Sequence, residues 1–175
     1  MIRPIETARL IIRSFESDDV QAVHEYTSDA AVMTYIPGGP LSEEQVRSFL
    51  VERVEDQAKA VAVVLKAEDR LIGHMPFHLW YAPRTYEIGW LFNRRYYGQG
   101  YATEAAAALL RYGFETLGLH RMIATCQPEN VASWRVMEKI GLRREGHFRQ
   151  CIANDDGTWW DEYFYALLEE EWFSR

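Results

Sequence analysis

The feature that most constrains this chain is a change of pattern between residues 86 and 104. Tyr86-Glu87-Ile88-Gly89-Trp90-Leu91-Phe92 has the apolar character of a strand, Gly98-Gln99-Gly100 makes a tight turn, and an alanine-rich helix former runs on to Leu117. A strand that turns through two glycines directly into a helix leaves the first-turn N–H groups free and aims them past the strand end. Gly98 and Gly100 permit positive φ and close approach of a ligand, while successive amides and the helix dipole favour an anion such as phosphate. Arg94 and Arg95 add charge. From these residues alone, a tight turn with no ligand remains the alternative. Two nucleotide patterns fail: no Gly-Lys-Ser/Thr follows, and the third glycine position of the dinucleotide fingerprint holds Thr103.

The rest of the chain reads as a frame for this turn. Residues 8–15 form a first strand, and Ser17-Asp18-Asp19 starts a helix carrying Val20, Val23 and Tyr26 that is broken at Pro37-Gly38-Gly39-Pro40. Ser42-Glu43-Glu44-Gln45 is a capping box opening an amphipathic helix to about residue 58, a packing element or one lip of a cleft. Residues 61–65 and 71–80 alternate as a hairpin, in which Pro76 predicts an edge or a bulge. With a strand over 85–92 they make an antiparallel meander. After Gly118 a strand over 120–126 implies a parallel pair joined by a crossover helix. Asn130 caps a helix over 132–140 that stops at Gly141, and residues 144–152 and 159–168 form a hairpin turning at Asn154-Asp155-Asp156-Gly157. The expected fold is a single α/β (α+β) domain over residues 1–175: a mixed, mostly antiparallel twisted sheet flanked by helices.

Composition narrows the function. The formal net charge of -7 argues against a protein that tracks nucleic acid, and no stretch is long and apolar enough to span a bilayer. Cys126 and Cys151 lack metal-ligand spacing and read as core thiols in a reducing, cytoplasmic setting. His74, His78, His120 and His147 lack the spacing of a zinc site, so no metal is expected. His74 and His78 read as packing residues, with a place in an acceptor cleft as the alternative.

Arg95-x-x-Gly98-x-Gly100 matches the R/Q-x-x-G-x-G/A pyrophosphate motif of the GNAT superfamily of acyl-CoA-dependent N-acetyltransferases. Glu6-Thr7-Ala8-Arg9-Leu10-Ile11-Ile12-Arg13 resembles the opening strand of the branch holding the ribosomal-protein N-terminal (Ser/Ala) acetyltransferases. Tyr97 to Ala105 resembles that branch's version of the motif, and Asn130-x-x-Ser133 with Glu138-Lys139-Ile140-Gly141-Leu142 resembles its second cofactor motif. The resemblance implies a GNAT fold with splayed central parallel strands, and acetyl-CoA as co-substrate. Its pyrophosphate would sit on Gly98, Gln99, Gly100, Tyr101 and Ala102 beside Arg95. The pantetheine arm would pair with the backbone of Trp90, Leu91 and Phe92, where the strand splays from residues 123–126, and with Asn130 on the far side.

Transfer to an amine requires taking a proton from an ammonium and supplying one to the departing thiolate. Glu87 is the candidate base, because it interrupts an apolar strand beside the expected thioester and half-burial there disfavours its charged form. Its alternative is a surface carboxylate, with water carrying the proton. Strand alternation places Thr85, Glu87, Gly89 and Leu91 on one face and Tyr86, Ile88, Trp90 and Phe92 on the other. For the acid, the position where many GNAT enzymes carry tyrosine holds Met137, and the resemblance points to Ser133 instead. Trp159-Trp160-Asp161-Glu162 reads as strand packing, with an aromatic and acidic wall for a cation as the alternative.

The expected activity is direct acetyl transfer to a primary amine in a ternary complex. By resemblance the acceptor is a protein N-terminus, ribosomal or otherwise; small amines (polyamines, amino acids, aminoglycosides) and a non-catalytic acyl-CoA-binding regulator are the alternatives. The expected assembly is a monomer or homodimer.

Overall fold

A computed structural model describes residues 2–54, 59–154 and 156–175. The first strand region divides into Ile5–Glu6 (β1) and Leu10–Arg13 (β2). A single helical turn at Ser17–Asp19 then leads into α1, Val20–Thr27. Asp19 is buried and accepts two hydrogen bonds from the Arg13 guanidinium, at 2.8 and 2.9 Å, which joins this turn to β2. The capping box forms as expected. Ser42 N–H donates to Gln45 Oε1 at 2.8 Å and Gln45 N–H donates to Ser42 Oγ at 3.2 Å, a reciprocal cap worth about 1 kcal/mol to α2, Glu43–Val54. The expected run of this helix to residue 58 lies outside the described residues.

Next come β3, Ala60–Leu65, β4, Arg70–Leu79, β5, Thr85–Ile88, and β6, Leu91–Phe92. The glycine turn leads into α3, Tyr101–Arg111, and then β7, Arg121–Cys126, and α4, Val131–Lys139. The hairpin of β8, Arg143–Ala153, and β9, Trp159–Leu168, precedes a closing helix, α5, Glu169–Phe173, which the sequence pattern does not announce. Among the described residues these strands form one open nine-stranded sheet in the order β1-β2-β3-β4-β5-β7-β9-β8, with β6 also on β4. Only β5 and β7 pair in parallel, joined through α3, so the sheet is the mixed, mostly antiparallel one expected.

The strand expected over 85–92 is interrupted at Gly89 and Trp90, and Pro76 explains the break. The register of β4 against β5 (Phe77 opposite Ile88) continues unshifted against β6 (Gly73 opposite Phe92). At the facing position Gly89 N–H donates to the Pro76 carbonyl at 3.0 Å, but proline has no N–H to return. Half of one ladder step is therefore missing. The expected edge or bulge at Pro76 is corrected: it lies in an interior strand without a register shift, and the cost falls on a single hydrogen bond.

Side-chain alternation survives the break. Ile88 and Phe92 join the core beneath α3 and α4, with Tyr86 and Trp90 packed against it, while Leu91 packs with the opposite core under α1 and α2. One thiol expectation fails. Cys126 is buried, but Cys151 is exposed, because it lies on the edge strand β8 within an irregularity between Phe148 and Ile152 where Gln150 takes φ +48°.

Candidate active site

Gly98 and Gly100 adopt φ +74° and +82°. An added β-carbon at Gly98 would meet nothing within 4 Å, and one at Gly100 would lie 3.5 Å from Arg9 Nη2. Both glycines are therefore required by backbone conformation and open approach rather than by packing. Among the described residues, nothing accepts a hydrogen bond from the amides of Gly98, Gln99, Gly100, Tyr101, Ala102 or Thr103. Six consecutive free donors at a helix N-terminus suit the charge and size of a pyrophosphate. Arg95 is exposed beside them, its backbone N–H bonded to Asn93 Oδ1 at 3.0 Å, whereas Arg94 turns away to Asp29 at 3.3 Å.

Sequence reasoning missed what braces this cradle. Arg9 donates through Nη1 to the Gln99 carbonyl at 2.9 Å, pairs through Nε with Glu104 at 2.6 Å, and lays its guanidinium over the Tyr101 ring at 4.4 Å. The Thr7 hydroxyl donates to the same Glu104 carboxylate at 2.6 Å. Burial opposes ionisation of Glu104, but the bonds from Thr7 and Arg9 hold its carboxyl below the usual range. Thr7, Arg9 and Glu104 all lie within motifs quoted for the resemblance, but no local pattern links residues so distant in sequence.

The parallel pairing of β5 with β7 ends at Glu87 opposite Ile123. Beyond it, residues 88–92 stay on β4 while Ala124, Thr125 and Cys126 stay on β9, so the two strands part. Gly89, Leu91 and Asn93 turn their backbone groups toward β4, with Asn93 N–H donating to the Ile72 carbonyl at 2.8 Å. By alternation Trp90 and Phe92 turn theirs into the opening. The expectation that all three residues face the arm is thus narrowed, because the Leu91 backbone is engaged with His74.

Asn130 stands on the far wall. Its Oδ1 accepts from Ser133 N–H at 3.2 Å, and among the described residues its Nδ2 donates to nothing. Ser133 is half-buried near the buried Cys126. Burial pushes that thiol up to about 12, so it stays neutral at physiological pH. Met137 is in the core, away from any proton-donating role.

Glu87 lies where the strands part, its side chain 26% exposed. Thr125 Oγ1 donates to its Oε1 at 3.3 Å, and His78 Nε2 is 3.9 Å from its Oε2. Glu162 lies on β9 two residues from Phe164, the partner of Thr125; burial, then the charge of Glu87, raise its pKa. Trp80 and Phe164, their rings 5.3 Å apart, stand alongside. The Trp159-to-Glu162 segment therefore divides. Asp161 faces His147 at 2.7 Å on β8 and Trp159 is exposed, whereas Glu162 joins the Glu87 cluster. His74 is buried in the core, its Nδ1 2.7 Å from the Tyr26 hydroxyl, between the rings of Phe15 and Phe49. Among the described residues there is no group of three or more His, Cys, Asp or Glu placed to hold a metal ion, and no helix long and apolar enough to cross a membrane.

Residues 9–143 match the family model described as "Acetyltransferase (GNAT) domain". The Bacillus subtilis protein described as uncharacterized N-acetyltransferase YnaD is 56% identical over 168 residues, 96% of this chain and 98% of that one. The crystal structure of an acetyltransferase (GNAT family) from Bacillus anthracis shares 55% identity with a TM-score of 0.92, covering 97% of this chain and 100% of that chain. The Escherichia coli [ribosomal protein uS5]-alanine N-acetyltransferase is 29% identical over 85 residues, 49% of this chain and 43% of its own.

Proposed function

This chain belongs to the GNAT acetyltransferase family and is an acetyl-CoA-dependent N-acetyltransferase, and from that premise we propose that it acetylates the N-terminal amine of a protein in the cytoplasm. The observation that carries the reading is the half-buried Glu87 carboxylate at the point where β5 and β7 part. The acceptor named for the Escherichia coli relative supports the choice of amine.

Acetyl-CoA supplies the activated acetyl group. The amides of Gly98, Gln99, Gly100, Tyr101 and Ala102 hold its pyrophosphate with Arg95 alongside. Trp90 and Phe92 offer backbone groups to the pantetheine arm, with Leu91 between them, and Asn130 Nδ2 donates from the opposite wall. Glu87 takes the proton from the acceptor ammonium so that the nitrogen lone pair is free to attack. Ser133 donates a hydrogen bond toward the departing sulfur. No enzyme nucleophile is needed, and the neutral Cys126 thiol is unsuited to be one. The chain acts on its own or as a homodimer. The pairing of Glu87 with Glu162 favours a second reading, a small cationic amine such as a polyamine.

The test is thiol release from acetyl-CoA with peptides beginning Ser, Ala and Met, set against spermidine, an amino acid and an aminoglycoside. A peptide is expected to exceed every small amine in kcat/KM by at least about tenfold, or about 1.4 kcal/mol. Turnover with spermidine and none with any peptide overturns the N-terminal reading in favour of the second.

A further inference from the structure

Making an amide from an ammonium and a thioester leaves one proton over once the thiol is neutral. The nitrogen loses two protons: one goes to the departing sulfur, and the other, taken by Glu87, must reach solvent before the next turnover. The two oxygens of Glu87 are placed differently for this. Thr125 Oγ1 donates to Oε1 at 3.3 Å, whereas Oε2 faces His78 Nε2 at 3.9 Å. His78 on β4 is the cross-strand partner of Glu87 on β5, so the sheet register itself sets the two side chains next to each other.

The backbone tells the two ring nitrogens of His78 apart. Nδ1 lies 3.3 Å from the Leu79 carbonyl, and a carbonyl oxygen only accepts, so the contact is a hydrogen bond when Nδ1 carries the proton. In the neutral ring Nε2 then bears a lone pair. A lone pair and an ionised carboxylate have nothing to share until a proton arrives. With that proton on Oε2, a movement of about 1 Å makes an O–H···N hydrogen bond. An imidazole changes charge between pH 5 and 8, so above that range the ring is free to accept. The side chains of His78 and Glu87 are 31% and 26% exposed, so water reaches the pair. Among the described residues Glu87 is the only charged group within ion-pair distance of His78. Lys59, on the chain entering β3, meets the neighbouring Phe77 through its backbone carbonyl, and Glu162 on β9 lies within range of the Glu87 charge.

We propose that His78 is the outlet for the proton that Glu87 takes from the acceptor ammonium. This rests on the reading of Glu87 as the base, and His78 acts through it. The proton on Oε2 passes to Nε2, which leaves Glu87 a carboxylate and His78 an imidazolium paired with it. Nε2 then gives the proton to water, and the ring returns to its Nδ1–H form. Thr125 keeps its hydrogen bond to Oε1 throughout, so the carboxylate is ready for the next ammonium.

Two measurements test this. The first needs no turnover: nitrogen-15 NMR of the histidine rings, with His78 assigned by the signal lost in His78→Gln. The neutral ring is expected in the Nδ1–H form. An Nε2–H form overturns the outlet, because Nε2 would have no lone pair to receive the proton. The second is kcat against pH. His78→Ala is expected to lower kcat by about ten- to a hundredfold, with acetyl-CoA affinity and acceptor KM retained. It should also remove the fall in rate that the native chain shows as the imidazole protonates toward pH 5. Added imidazole should restore the rate in proportion to its concentration, and His78→Ala should add nothing to the loss in Glu87→Gln. Native kcat in His78→Ala, or a loss that imidazole does not rescue, overturns the outlet while leaving Glu87 as the base. Normal turnover by Glu87→Gln overturns the base itself, and the outlet with it.

Discussion

Arg9 Nε lies 2.6 Å from the Glu104 carboxylate, so the residue that leads into β2 is clasped to the first turn of α3. The same guanidinium holds the Gln99 carbonyl, which fixes the cradle from behind while its amides point outward. Arg9→Ala is expected to weaken acetyl-CoA binding by about three- to tenfold, a modest loss because Arg9 is half exposed. Calorimetric titration with CoA measures it. Unchanged affinity would show that the glycine turn keeps its shape unaided.

The clasp also carries a pH dependence. Burial opposes ionisation of Glu104 in the folded chain, but the bonds from Thr7 and Arg9 outweigh it and hold the folded-state pKa below the ordinary glutamate range. Its contribution to stability is therefore complete above the unfolded pKa and is lost as pH falls through the folded one. Melting temperatures measured from pH 6 to pH 3 should fall more steeply for the native chain than for Glu104→Gln below about pH 4.5. Parallel curves would remove Glu104 from the acid response.

Gly98→Ala and Gly100→Val separate two effects. Both positions have positive φ, so each substitution costs about 1–2 kcal/mol of backbone strain. At Gly98 the space for a β-carbon is empty, whereas a valine at Gly100 puts branched carbons beside Arg9 and across the amides. CoA affinity should fall roughly tenfold for Gly98→Ala and beyond detection for Gly100→Val. Native affinity in Gly100→Val would rule out the cradle as the pyrophosphate site.

Glu87→Gln preserves shape and removes the base. The expected loss in kcat is about two to four orders of magnitude with acetyl-CoA affinity unchanged. A variant that keeps its rate and its pH–rate profile would assign the proton to water.

The two thiols should differ in reactivity and neither should matter to transfer. Cys151 is exposed and Cys126 is buried, its thiol pushed up to about 12. In the folded chain a disulfide reagent should modify one thiol per molecule, at Cys151, leaving activity intact. Release of both thiols without unfolding would mean that Cys126 is accessible.

Legibility in the sequence followed the range of the interactions. The Ser42–Gln45 capping box, the Asn130 cap, the hairpin of β3 and β4 and the glycine turn each depend on neighbours within a few residues, and each formed where expected. Pro76 predicts an edge or a bulge, but β4 is interior and keeps its register there, and the consequence appears across the sheet as the missing rung opposite Gly89. Cys151 was misjudged because an edge strand with an irregularity does not keep a strict inside and outside.

By itself the sequence determined most of the order of strands and helices (though not α5), the free-amide turn at Gly98 and Gly100, and the side of its strand on which Glu87 lies, because periodicity and backbone stereochemistry are local. Tertiary structure decided the rest. It set Arg9 behind the cradle, ended the pairing of β5 and β7 at Glu87, and brought Glu162 near enough for the charge of Glu87 to act on it. Those contacts depend on strand order and register, which arise only when distant segments share one sheet.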